Sequence, residues 1–123
     1  SGSFKIPKGL LSISVSAFAN CAFTGEAEIP EGVTCIHSFG FSSCINLQKI
    51  ILPGSLELID EAAFQDCKSL REIECKSTVP PVVNDEAFHG VPLEDLTVIV
   101  PGSALNNYKS SESWSGFKHI IAK

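Results

Sequence analysis

The side chains of this chain that could do chemistry are five cysteines, Cys21, Cys35, Cys44, Cys67 and Cys75, and three histidines, His37, His89 and His119. A structural zinc site calls for Cys or His pairs a few residues apart, and no C-x-x-C pair occurs. Nucleophilic catalysis calls for a Ser or Cys held by a His that a carboxylate orients, and nothing in the spacing gathers the histidines. The strings G-x-S-x-G and H-E-x-x-H, a phosphate-cradling glycine loop and an EF-hand string are absent. A calcium site at Glu72 and Glu74 is disfavoured by Lys49 and Arg71 in the same patch. The expectation is a protein without catalytic residues, metal or cofactor.

What the cysteines do show is a period. Cys21, Cys44 and Cys67 lie 23 residues apart, a regularity that neither metal sites nor disulfide frameworks require. Shifting the sequence by that interval aligns Pro7, Pro30 and Pro53, then Leu10, Val33 and Leu56, then Ile13, Ile36 and Ile59, then Phe18, Phe41 and Phe64. Ile6, Ile29 and Leu52 extend the match. Period-two alternation in Leu47 to Pro53 and in Leu70 to Cys75 predicts a short half-buried strand per unit. Ser14, His37, Asp60 and Asn84 share a column that reads as the N-cap of one helical turn, carrying Phe and Cys at i and i+3. A unit this small cannot bury its own apolar side, so neighbours must stack at about 4.8 Å. Stacked thiols would fall within disulfide reach, but three equivalent ones leave one unpaired. Small buried apolar residues are the simpler reading. Cys35 shares a column with Ser12 and Leu58 and is the best candidate for an exposed thiol, whereas Cys75 stands in the strand core and should be inert.

The fourth unit departs from the pattern. Lys76 replaces the proline, Pro80-Pro81 intrudes, and Ala87-Phe88 follows Ala63-Phe64 by 24 residues, which places one inserted residue in the loop. Leu96, Val98 and Val100 make a final strand. After Pro101-Gly102 the period is lost, and residues 102–123 read as a cap with a short helix, Ser103 as its N-cap and Tyr108, Trp114 and Phe117 as its anchors. The whole chain, 1–123, is one domain, with repeats over about 4–101.

These columns resemble the BspA-like leucine-rich repeats of bacterial surface proteins, with their L-x-x-I-x-I-P, V-x-x-I and A-F-x-x-C-x-x-L segments. Units beginning near Ile6, Ile29 and Leu52 carry the likeness, with weaker copies after Cys75 and Leu96. The resemblance implies a repeat solenoid, a right-handed leucine-rich repeat stack of α/β type with short parallel strands. It further implies a secreted or surface-anchored protein that binds host or extracellular proteins, or carbohydrate, rather than an enzyme.

Composition agrees with a folded domain: of 123 residues 44% are hydrophobic and 19% charged, and no apolar run approaches the roughly 18 residues of a membrane span. A net charge of −5 argues against a nucleic-acid partner. Thirteen of the fourteen acidic residues fall between Glu26 and Asp95. If Ile50 and Leu52 point inward, stacking makes two outward rows, one of Glu26, Lys49, Glu72 and Asp95, the other of Lys5, Glu28, Ile51, Glu74 and Thr97. They are the candidate face for a protein ligand, ahead of a carbohydrate. The alternative is a structural spacer, the capping end of a longer surface repeat protein with no binding site of its own. The first repeat begins without a polar capping segment, so its core and strand edge are expected to lack a neighbour, which points to a longer array or to self-association through that edge.

Overall fold

Because equivalent apolar residues recur at fixed intervals, each unit offers the next the same surface, and the chain coils so that like lies on like. The computed structural model describes residues 3–21 and 24–123. In chain order the strands are β1 (Ser3–Lys5), β2 (Ser12–Ile13), β3 (Gly25–Glu28), β4 (Cys35–Ile36), β5 (Leu47–Leu52), β6 (Leu58–Ile59), β7 (Glu72–Cys75), β8 (Val82–Val83) and β9 (Thr97–Val100), followed by helix α1 (Leu105–Ser110) and β10 (His119–Ala122). One parallel sheet has the order β1-β3-β5-β7-β9-β10 and a second, also parallel, the order β2-β4-β6-β8. Residues Ala27, Ile50, Ile73, Val98 and Ile120 stack in register on the inner side of the first sheet. Ile13, Ile36, Ile59 and Val83 do the same on the second, and the core fills the space between.

The return leg of each unit is not the expected helical turn. Ser16, Phe39 and Ala62 take φ of 58°, 62° and 57°, and Asn20, Ser43 and Asp66 take 61°, 58° and 61°. The reason lies in where the N–H groups go. Phe18, Phe41 and Phe64 donate to the carbonyls of Gly40, Ala63 and Ala87 in the following unit at 2.7–2.8 Å, while Ala17, Gly40 and Ala63 close local turns on Ser14, His37 and Asp60. A helix would spend its N–H groups along its own axis and leave none for the neighbour. The cap column therefore makes turns: the Asn84 side chain accepts from the Glu86 N–H at 2.9 Å. At Gly90, φ +85°, the fourth unit uses the residue that adopts this conformation most easily.

Two single-residue offsets set the last strands. β6 and β8 pair Leu58 with Val82, an interval of 24, whereas β7 and β9 pair Glu72 with Thr97, an interval of 25. One extra residue sits in the loop through Pro80-Pro81, as expected; the second is taken up before β9, where Leu93–Asp95 wind into a 3-10 turn.

Ser103 does not cap a helix: it lies within the 3-10 turn Gly102–Ala104, and α1 begins after Ala104 with no side-chain cap. The buried anchors are Tyr108, Trp114 and Phe117. Tyr108 donates its hydroxyl to the Ser77 carbonyl at 2.7 Å, and Trp114 its indole N–H to the Pro81 carbonyl at 3.0 Å. The Ser113 hydroxyl accepts from the Val83 N–H at 3.1 Å, a group that a fifth strand of the second sheet would otherwise take. β10, which the sequence reading does not contain, pairs in parallel with β9 beyond the expected final strand. At the other end β1 and β2 lie at the edges of their sheets, and Ile6 and Ile13 are buried. Leu10, Phe18 and Cys21 there are half-buried.

Candidate interaction face

Each strand of the six-stranded sheet is only a few residues long, and its alternate side chains face away from the core. Register fixes the first outward row as Glu26, Lys49, Glu72, Thr97 and His119. The second is Glu28, Ile51, Glu74, Ile99 and Ile121. Six of the expected face residues, Glu26, Glu28, Lys49, Ile51, Glu72 and Glu74, are brought together as the spacing implies. Asp95 is not among them: it ends the 3-10 turn ahead of β9, and Thr97 stands in its row. Thr97 in turn leaves the second row to Ile99. The physical cause is the second inserted residue, which the apolar columns alone do not locate. Lys5 aligns with Glu28 along the backbone.

The charges on this face are tied to one another. Lys49 reaches Glu72 at 2.9 Å and Glu74 at 3.4 Å. Lys123, from beyond β10, reaches Glu74 at 2.7 Å, and Lys76 crosses to Glu28 at 3.1 Å. Glu74 is nearly buried, and the hydrogen bond from Lys123, aided by Lys49, holds its carboxyl below the usual carboxylate range. Lys49 is correspondingly raised, chiefly by its hydrogen bond to Glu72. Three ammonium groups thus meet the carboxylates of Glu28, Glu72 and Glu74, and most of the acidic excess lies away from this sheet, at residues such as Glu57, Glu61, Asp66 and Glu86. Between the ion pairs run Ile51, Ile99 and Ile121, of which Ile121 is 49% exposed. A groove of about 530 Å³ borders the face at Ile6, Lys8, Glu28, Pro30 and Glu31. The sequence reading missed Ile99, Ile121 and His119 together with the second offset and β10.

The candidate chemical side chains are dispersed. Cys44 and Cys67 are buried and donate their thiols to the carbonyls of Phe18 and Phe41 at 3.1 Å each. All five cysteines are free, and burial pushes the Cys75 thiol up to about 12. Cys35 is half-buried, as is Cys21; its sulfur lies 3.6 Å from His37 Nδ1, and burial raises its pKa. His89 lies beside Glu86 at 3.4 Å and His119 donates to the Glu94 carbonyl at 3.1 Å, so the three imidazoles serve three separate neighbourhoods. Among the described residues, no three of His, Cys, Asp and Glu converge as metal ligands, and no buried side-chain N or O lacks a partner.

Two parallel sheets, unit-on-unit columns and a turn ladder define a leucine-rich repeat solenoid. The BspA type Leucine rich repeat region matches over residues 2–111 in six copies, and the chain belongs to that family. It is similar in structure to a leucine rich cell surface protein from Faecalibacterium prausnitzii A2-165, with a TM-score of 0.68 and 27% identity, covering 100% of this chain and 32% of that one. It also shares its fold with the pneumococcal vaccine antigen PcpA, with a TM-score of 0.56 and 18% identity over 100% of this chain and 42% of that one. The chain therefore spans less than half the length of either. No curated protein sequence matches it. No described helix is long and apolar enough to cross a membrane.

Proposed function

We propose that the chain is a non-enzymatic protein-interaction module of a secreted or cell-surface protein, which holds a protein ligand on the outward face of its six-stranded sheet. The observation that carries this reading is the ion-pair lattice of Lys49, Lys76 and Lys123 with Glu28, Glu72 and Glu74. It holds long side chains in place before any partner arrives, which lowers the ordering cost of binding. Ile99 and Ile121 supply apolar area between the charges, while Ile51 is buried beneath them. The carboxylates are largely neutralised, so the fitting ligand offers mixed polar and apolar groups rather than a basic run.

Six strands about 4.8 Å apart and four residues long present roughly 350 Å², under half of the roughly 800 Å² per partner of a stable interface. Binding by this chain alone is therefore weak, in the micromolar range or above. The test is a photo-crosslinking residue placed at Lys49 or Ile99 and, for comparison, at Glu61 on the turn ladder. Extracellular protein captured from positions 49 and 99 but not 61, and released by excess unlabelled chain, is the expected result. Capture from position 61 alone would reject the face, and no capture from any position would favour the spacer reading.

A further inference from the structure

β10 is the last strand of its sheet, and among the described residues its outer edge carries no neighbouring strand. The Lys123 N–H donates to the Val100 carbonyl at 2.9 Å. By the alternation of a parallel ladder, the backbone groups of His119 and Ile121 also face β9, and the N–H and C=O groups of Ile120 and Ala122 face the open side. Beside the strand lies a groove of about 350 Å³, backed by Trp114 and Phe117 and rimmed by Lys109, Lys118 and His119. Residues 103–123 carry Lys109, Lys118 and Lys123 against the single acid Glu112, while the rest of the molecule is acidic. Lys123 is committed to Glu74, but among the described residues neither Lys109 nor Lys118 makes an ion pair.

We propose that this edge is a second docking surface, which takes an extended acidic peptide segment by strand addition along β10. The open edge supplies main-chain hydrogen bonds, the groove receives alternate side chains, and the two free lysines select acidic residues over basic ones. The surface lies at the end of the stack and does not depend on the ion-pair lattice proposed above for ligand binding. A second copy of this chain does not fit as well, because the strand at the other end of the sheet, β1 (Ser3–Lys5), carries a lysine and no acidic residue.

The experiment uses a fluorescein-labelled decapeptide of alternating Val and Glu, read by anisotropy, with the Val-Lys decapeptide for comparison. Saturable binding of the acidic peptide and none of the basic one is expected. Lys109→Glu combined with Lys118→Glu should weaken it more than about tenfold. Ala122→Pro should weaken it comparably, since it removes one outward N–H at an exposed position near the strand end; circular dichroism checks that each variant is folded. Glu61→Lys, on the turn ladder away from this sheet, should leave affinity unchanged, and the amide resonances of Ile120 and Ala122 should shift on titration. Full binding by Ala122→Pro would reduce the effect to charge attraction and overturn strand addition. Absence of binding, equal binding of the basic peptide, or association with phosphatidylserine vesicles in place of the peptide would overturn the proposal as a whole.

Discussion

Replacing Phe64 by Ala tests the stacking argument most directly. Phe64 is fully buried, with its ring 5.4 Å from Phe41 at 3° and 5.1 Å from Phe88 at 6°. Truncating a buried Phe costs about 3–5 kcal/mol, and aromatic contacts contribute about 0.5–1.5 kcal/mol each beyond area burial. With a ring on both sides the loss should fall in the upper half of that range, about 4–5 kcal/mol. A chain of this length has roughly 6–18 kcal/mol in all, at about 0.05–0.15 kcal/mol per residue. Phe18 is the internal reference: it is half-buried, with its ring 5.3 Å from Phe41 at 12°, so Phe18→Ala should cost about half as much. The assay is reversible urea unfolding, where an unchanged slope licenses reading the midpoint shift as stability. A loss below about 1 kcal/mol at Phe64, or equal losses at the two positions, would show that the rings do not form a continuous buried column.

Cys44→Val should cost less, about 1–2 kcal/mol, because the volume is nearly kept and only a weak thiol donor to the Phe18 carbonyl is lost; urea unfolding measures it. In the native protein a disulfide reagent should label Cys35 and Cys21 well before Cys44, Cys67 or Cys75, and mass spectrometry of a time course identifies the order. Tyr108→Phe leaves the Ser77 carbonyl without its donor and should cost about 1–2 kcal/mol. Glu74 has a folded pKa below its unfolded value, so its ion pairs stabilise the protein above the unfolded carboxylate pKa, and that contribution is lost as pH falls through the folded one. Glu74→Gln should thus lower the thermal midpoint at pH 7 and converge with the parent in strong acid.

The repeat was legible because stacking demands like residues at like positions, and the Phe and Cys columns display that demand without help from secondary structure. Four features were hidden for physical reasons. Strands of two residues, such as β2 and β4, are too short for alternation to register. Phe and Cys three apart fit a helix and a turn ladder equally well, and Phe39 and Ala62, both at positive φ, are not residues that announce it. An insertion just before β9 leaves the apolar alternation Leu96, Val98, Val100 intact while sliding the outward row by one place, so Asp95 could be assigned only by counting. β10 lies where the period has ended, and its partner is fixed by the packing of Tyr108, Trp114 and Phe117 rather than by any local pattern.

The two offsets also bear on how such a molecule changes length. One extra residue is absorbed at the Pro80-Pro81 corner and another in the 3-10 turn before β9, yet the columns on either side still meet rung for rung. What is inherited from unit to unit is the column, while the corners are free to vary. Loss of one whole unit between Pro30 and Pro53 would therefore bring Phe18 against Phe64, Cys21 against Cys67 and Ile13 against Ile59, each facing a partner of its own kind, with the C-terminal segment carried along unchanged. A stack built this way can gain or lose rungs without redesigning its interior, and changes in copy number can lengthen or shorten its outer faces while the core continues as before.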